Sequence, residues 1–540
     1  MREPSTIRRK RIRMSSTFAS YREVIDANGR VYRVGETDRE LLGRSRAWMI
    51  WLPWMAMMAV SVYEYGYGAA AKSIRDAHHW SMGETFWLLS IWAFFQAGVA
   101  FPAGKLREKG ILSPRAAMLI GAVLSAVGFA SITQGNLVLA YLGFAVCGGI
   151  GAGLVYATCI NLVGKWYPER RGGKTGFVNG GFAYGAVPFI FIFSYALHPN
   201  TYVWVLDLVA AYMLIVCAVC GWLFRDPPKN WWPADVDPVK WADSKNGAAS
   251  LKKNPPAVRQ YTPMEAIKTG MLPLMWLSLG ISAGVSLFGI SYMVPFAKDL
   301  GFGPLIAASS AGVLSIINGT GRTVTGWLSD RFGRKQTLLV VLLIEALSLV
   351  GLLYAGKAES EIAFLGFGPL IAASSAGVLS IINGTGRTVT GWLSDRFGRK
   401  QTLLVVLLIE ALSLVGLLYA GKAESEVAFL GFAFLVGFGG GAFYPMFASL
   451  TPDYFGENNN ASNYGLVYSS KLVGSIVGIG VGASVIDAWG YTGAYWIAAV
   501  SALVSAGIAT FLRQPGRSRV PTTESGTPVS ERSLTPTLAD

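Results

Sequence analysis

Lys471 lies inside an apolar stretch, 464–486, that is long enough to cross a membrane and holds no other charge. A charge at bilayer depth is disfavoured by about 3 kcal/mol on insertion scales, so such a residue faces a protein interior and marks a path for an ion or a substrate. Arg322 shares that setting. It stands eight residues from Asp330 at the end of its own apolar run, and Lys471 stands eight from Asn463. At 1.5 Å per residue each is about 12 Å deep, which sets both cations near the midplane. An arginine offers a planar fork to one carboxylate and a lysine a point charge to another, so a small dianion fits between them.

Two carboxylates compete for these cations. Glu64, in Val62-Tyr-Glu-Tyr-Gly-Tyr67 of the first apolar run, falls nearer the outer side by residue count. It has two roles open: pairing with a cation while the cavity is empty, or carrying a proton, because apolar surroundings favour the neutral form. Glu345, with its copy Glu410, lies about ten residues beyond Lys335 on the neighbouring antiparallel helix at similar depth, and a simple ion pair with Arg322 is the alternative to substrate contact. Tyr63, Tyr65, Tyr67, Tyr156, Tyr184 and Tyr444 are candidates to roof the cavity, since a tyrosine donates to a carboxylate while its ring excludes water; packing is the plainer role.

The elements that position these groups follow from composition. With 52% hydrophobic and 14% charged residues and 64 glycines in 540, the chain reads as an all-α polytopic membrane protein. Runs of about 20 apolar residues, the length that crosses the hydrocarbon core, fall near 48–70, 86–103, 116–134, 137–164, 176–197, 202–223, 271–296, 305–328, 337–354, 370–393, 402–419, 428–450, 464–486 and 491–511. The net charge of +14 is a topological signal and implies no nucleic-acid partner: most Lys and Arg fall on one side when the spans alternate from a cytoplasmic amino terminus. A multi-pass protein of the cell (inner or plasma) membrane, both termini cytoplasmic and monomeric in membrane lipid, is expected. Cys147, Cys159, Cys217 and Cys220 lie in spans and behave as small apolar residues. No metal site, cofactor motif or catalytic constellation is visible, so an enzyme is not expected.

A basic arm, 1–47, precedes a first six-helix bundle, 48–223; a Pro-, Lys- and Asp-rich linker, 224–270, leads to a second bundle, 271–511, and a Ser-, Thr- and Pro-rich tail, 512–540, is expected to be disordered. The second bundle contains a tandem duplication. Leu300 to Glu361 is repeated without change from Leu365 to Glu426, a shift of 65 residues giving units 300–364 and 365–429. Solenoid repeats diverge at solvent-facing positions, and these match even in loops, so a recent duplication or an assembly error is implied. The unit is one helical hairpin, which preserves the alternation of everything downstream. The underlying design is six plus six spans with a duplicated two-helix hairpin, about fourteen in all.

Gly326-Trp-Leu-Ser-Asp330-Arg331-Phe-Gly-Arg334-Lys335, repeated through Asp395, Arg396 and Arg399, resembles the signature loop of the major facilitator superfamily. A weaker relative, Gly104-Lys-Leu-Arg-Glu108-Lys-Gly110, sits where six-plus-six symmetry places it. A carboxylate flanked by Arg and Lys at a helix end can bond across two bundles on the cytoplasmic face, and the bonds must break when that face opens. Asp330 and its neighbours are then a gate; holding a short basic loop inside is the simpler role.

The stretches Gly148-Gly-Ile-Gly-Ala-Gly-Leu-Val-Tyr156, Lys165-Trp-Tyr-Pro-Glu-Arg-Arg171, Asn318-Gly-Thr-Gly-Arg322, Asp453-Tyr-Phe-Gly456 and Asn463-Tyr-Gly-Leu-Val-Tyr-Ser-Ser-Lys471 resemble the oxalate/formate antiporter family within that superfamily, over about 48–511. The resemblance implies that Arg322, or its duplicate Arg387, and Lys471 face the cavity and hold a dicarboxylate. The family more often shows an amide at the place of Glu64, and a tryptophan where this chain has Gly440; losing that ring leaves room for a carboxylate larger than oxalate. The expected function is secondary transport of small organic anions, mono- or dicarboxylates, by alternating access. Exchange is favoured by the resemblance, with a proton-coupled importer using Glu64, and a non-transporting sensor or scaffold, as alternatives.

Overall fold

Three of the membrane helices begin at capping residues that lie outside their apolar windows. In the structure, a computed structural model that describes residues 21–25, 31–198, 200–243, 257–299, 330–343 and 450–516 with Thr323, Trp327, Leu328, Phe443, Tyr444, Phe447 and Ala448, Ser81 accepts from the Glu84 amide while the Glu84 carboxylate accepts from the Ser81 amide. This reciprocal cap satisfies the free N–H groups of a first turn and starts the helix at Met82, four residues before the apolar run. Ser113 with Pro114, and Asn136, start the next two in the same way.

Eight helices among the described residues are long and apolar enough to cross a membrane: Met82–Glu108, Pro114–Ile132, Leu137–Trp166, Gly173–Ala196, Tyr202–Trp222, Met271–Tyr292, Asn460–Tyr491 and Gly493–Thr510. A further rod precedes them, formed by Trp48–Val60, a π-helical stretch Val62–Gly66 and Tyr67–His78 in continuous succession. It runs eight residues past the expected end at 70, and Glu64 lies near the middle of the rod. The duplicated hairpin lies mostly outside the described residues, and with it part of the expected fourteen spans.

The segments before and after the first bundle fold together. β1 (Arg22–Ile25) and β2 (Val31–Val34) form an antiparallel hairpin with Arg22 opposite Val34. The Arg33 amide donates to the Asn230 carbonyl at 2.8 Å, and the Trp232 amide returns a bond to the Arg33 carbonyl at 2.9 Å. Tyr32, Val34 and Trp232 make a small separate core, Trp231 packs on Trp166 at 4.8 Å between ring centres, and Arg46 pairs with Glu169 at 3.0 Å. The described parts of the arm, 22–25 and 31–47, are therefore docked; the basic run at 8–13 lies outside the described residues. We call the end of the bundle bearing this unit the linker face.

The two halves meet along Met82–Glu108 and Asn460–Tyr491, with backbones close enough to exclude a side chain. A Cβ on Gly104 would stand 2.5 Å from the Ala461 carbonyl oxygen, and one on Gly465 2.7 Å from that of Ala100. Small residues let helices approach this closely inside a membrane. Gly104→Val is expected to lower the thermal midpoint of the purified protein by several degrees, following roughly 1–3 kcal/mol of overpacking; an unchanged midpoint would show that the helices are not held at this separation. Gly474, Gly149 and Gly153 serve the same end, against Gly280, Trp92 and Gln96.

Candidate functional site

Both buried charges sit where their helices depart from regular α geometry. Glu64 is inside the π-helical stretch Val62–Gly66. Lys471 follows a turn at Ser469 and Ser470, opens the short helix Lys471–Ser475, and is followed by a second π-helical stretch, Ile476–Val481. Single π turns inside helices concentrate at functional sites, since they re-aim side chains that a regular helix would place elsewhere. Here they bring Lys471 Nζ to 2.5 Å from Glu64 Oε2, across the boundary between the halves, with each side chain 1% exposed.

A ring of polar and aromatic groups completes the site. Lys471 Nζ donates to Gln96 Oε1 at 3.3 Å, and the Gln96 amide group donates to the Tyr468 hydroxyl at 3.0 Å. Tyr444, Tyr468 and Trp92 present ring faces at 5.8, 5.9 and 6.0 Å from the ammonium. Such a cage favours a cation by the negative face of each ring. Tyr468 stacks on Tyr156 at 4.8 Å, and Asn179 donates to the Tyr156 hydroxyl at 2.9 Å, so contact continues into the first bundle. Glu64 Oε1 is buried with no hydrogen-bond partner among the described residues.

The expected site residues divide. Lys471, Tyr444, Tyr156 and Glu64 converge. Tyr67 does not: its hydroxyl donates to the Thr85 carbonyl at 2.7 Å and its ring packs on Phe144, so it braces the first bundle and does not roof the cavity. Tyr63 is spent likewise on the Ser125 carbonyl while stacking on Trp92, which fixes that wall of the cage. Tyr65 packs edge-on to Phe182. Tyr184 lies 3.4 Å from the Thr323 hydroxyl, a contact between the halves. Arg322, Arg387, Glu345, Glu410, Asp395, Arg396 and Arg399 lie outside the described residues. Gln96, Trp92 and Tyr468 were missed from sequence. Gln96 carried a readable signal, as a lone amide in the apolar run Trp92-Ala-Phe-Phe-Gln96.

On the linker face the gate residues bond across the halves. Asp330 Oδ2 accepts from the Gly173 amide at 3.0 Å, and Oδ1 accepts from Arg334 at 3.1 Å. Glu108 accepts from the Ser462 amide at 2.8 Å, at the start of the Asn460–Tyr491 helix, where a carboxylate is favoured by the free N–H groups. Arg334 also pairs with Asp453 within the second half, and Arg331 stands over the rings of Trp327 and Phe332 in its own segment. A further bond was not anticipated: Arg171 Nη2 meets Glu457 Oε2 at 2.9 Å across the halves. Arg171→Glu is expected to slow substrate flux about tenfold or more, and Glu457→Arg on that background to restore a large part; no rescue by the swap would remove this pair from the gate.

Comparison with known proteins agrees with this architecture. The sequence model of the Major Facilitator Superfamily matches residues 53–385 and 365–538, the second match opening where the second copy of the repeat begins. The chain is 22% identical over 473 residues to the oxalate:formate antiporter of Oxalobacter formigenes, covering 87% of this chain and 92% of that one. It is 28% identical over 235 residues to monocarboxylate transporter 12-B of Danio rerio, covering 41% and 48%. The crystal structure of a mutant of the nucleoside transporter NupG has the same fold, with a TM-score of 0.53 at 10% identity over 86% of this chain and 99% of that one. With a family match across most of its length and a bundle of apolar helices split by a central charged site, the chain belongs to the Major Facilitator Superfamily and is a multi-pass membrane transporter.

Proposed function

We propose that this transporter carries a small organic anion, a mono- or dicarboxylate, by alternating access, with Lys471 as the anion's anchor. The observation that carries the reading is the position of Glu64. A carboxylate already occupies the lysine inside an aromatic cage at the boundary of the halves, where it stands in for the carboxylate of a substrate. Two relatives named for oxalate, formate and monocarboxylates support the same chemistry. Arg322, or its copy Arg387, is the proposed second cation, which a dicarboxylate would use and a monocarboxylate would not. The linker face is proposed as cytoplasmic, with both termini on that side.

Exchange of one anion for another is the mode that the antiporter relative supports. Proton-coupled uptake is favoured by a specific contact: when an anion takes Lys471, Glu64 loses its partner and is best accommodated neutral, so anion and proton enter together. Counterflow in proteoliposomes, loaded in turn with oxalate, formate and pyruvate against the radiolabelled form of each, tests the central reading. Accelerated uptake of at least one, lost in Lys471→Gln, is the expected result; equal flux with and without the protein for every carboxylate tried would sink it.

A further inference from the structure

Arg107, at the linker end of Met82–Glu108, is a second cation with unspent bonding capacity. Its Nη2 donates to both carboxylate oxygens of Asp226, at 3.0 and 2.9 Å, and Lys165 Nζ reaches the same carboxylate at 3.1 Å. Two cations therefore share the Asp226 carboxylate, with the Glu108 carboxylate as the second negative charge acting on Lys165. The Arg107 side chain is 4% exposed, and its Nε and Nη1 are buried with no hydrogen-bond partner among the described residues. Burial pushes the Asp226 carboxyl up, but Arg107 and Lys165 outweigh it and hold the group below the usual carboxylate range, so Asp226 stays ionised.

The surroundings show what this charge faces. Arg107 borders two cavities. One, of about 30 Å³, lies against Tyr156 and Tyr468, the aromatic floor beneath the Lys471 cage. The other, of about 430 Å³, lies at the linker face between the gate loops and the Trp231–Trp232 segment. Arg107, Asn161, Arg171 and Ala461 line both, and we call the wall they share the neck. The inner cavity has room for a water or two, by the rule that one water needs at least ~10–15 Å³ of such space. The outer one is large enough for a small carboxylate. Arg171 is committed to Glu457, and at the wider cavity Arg334 is committed to Asp330 and Asp453. Glu108, beside Arg107 in sequence, is held by the Ser462 amide.

We propose that the Arg107 neck is a second anion-binding station on the linker side of the transport site, taking a carboxylate of the same class as the central site. This extends the reading of the chain as an organic-anion carrier. A carboxylate at the neck satisfies the Arg107 donors that are otherwise buried unbonded, at a place between the cage and the linker face. The station staged there concentrates the anion on one side of the membrane only.

The test is equilibrium binding of radiolabelled malonate to the purified full chain carrying Lys471→Gln, which removes the central anchor. This protein is expected to retain weaker, salt-sensitive malonate binding. Adding Arg107→Gln is expected to reduce that binding about tenfold or more, the scale of a lost charge-assisted bond. Adding Asp226→Asn instead is expected to tighten it, because Arg107 and Lys165 are released from their internal partner; a variant that merely unfolds does not gain affinity. In proteoliposomes of known orientation, Arg107→Gln with Lys471 intact should raise KM from the linker face and leave the opposite face unchanged. The proposal is overturned if the Lys471→Gln protein binds no malonate, if Arg107→Gln leaves its binding unaltered, or if Asp226→Asn fails to strengthen it. Wild-type affinity in Lys471→Gln would instead count against the central anchor, so the two readings fail separately.

Discussion

Lys471→Gln is expected to reduce carboxylate flux to the level of protein-free vesicles, in exchange and in net uptake alike. Two effects add. The anion loses the cation that compensates its burial, and a charge-assisted hydrogen bond of the kind removed contributes about 1.5–3 kcal/mol, a factor of ten to a hundred or more in binding. Glu64 is then left without its partner at 1% exposure, and removing one member of a buried pair costs about 3–5 kcal/mol unless the remaining group takes up a proton. Lys471→Arg separates these effects. It keeps the charge, so the pair with Glu64 survives, but a planar guanidinium does not fill the place of a compact ammonium among Trp92, Tyr444 and Tyr468. Partial flux in that variant with none in the glutamine variant is the expected pattern. Equal flux in all three proteins would remove Lys471 from the transport path.

Glu64→Gln is expected to split the two transport modes. A carrier that returns empty must bury its binding site without substrate, and Lys471 can be buried only with a counter-charge. Glu64 supplies that charge, at 2.5 Å from the ammonium. In the loaded state the substrate supplies it, and Glu64 gains from becoming neutral. Gln at 64 leaves the loaded site balanced and the empty site not. Exchange, which needs only loaded carriers, should stay within a few fold of the original. Net uptake, which needs the empty return, should fall about tenfold or more. The sign with pH follows from the same balance: a proton accompanies the anion, so net uptake by the unmodified protein rises as pH falls on the side of entry, and the variant loses that dependence. If a pH gradient drives both proteins alike, Glu64 is not the proton carrier.

Much of the fold was legible because insertion into lipid demands long apolar runs, and little else satisfies backbone groups there. The capped starts at Ser81 and Ser113 were equally open to reading, and attention to apolar windows alone started the Met82–Glu108 helix four residues late and ended it five residues early. Lys471 and Glu64 stood out because a charge among apolar neighbours is conspicuous. Gln96 did not, since one amide is a weaker mark, although it bonds both Lys471 and Tyr468. Tyr67 was indistinguishable by type and spacing from Tyr156; only the Thr85 carbonyl beside its hydroxyl assigns it to bracing.

By itself the sequence determined that this chain crosses a membrane many times and that charges lie within its apolar runs, because both are properties of local composition. Tertiary structure decided which charges meet. Lys471 and Glu64 are 407 positions apart, and nothing in either segment says that two π-helical stretches will turn them toward each other. The same holds for Arg107 and Asp226, 119 positions apart. Partnership in a helical bundle depends on the rotation of each helix about its axis, and a single inserted residue in a turn rotates everything beyond it by about 100°, at 3.6 residues per turn.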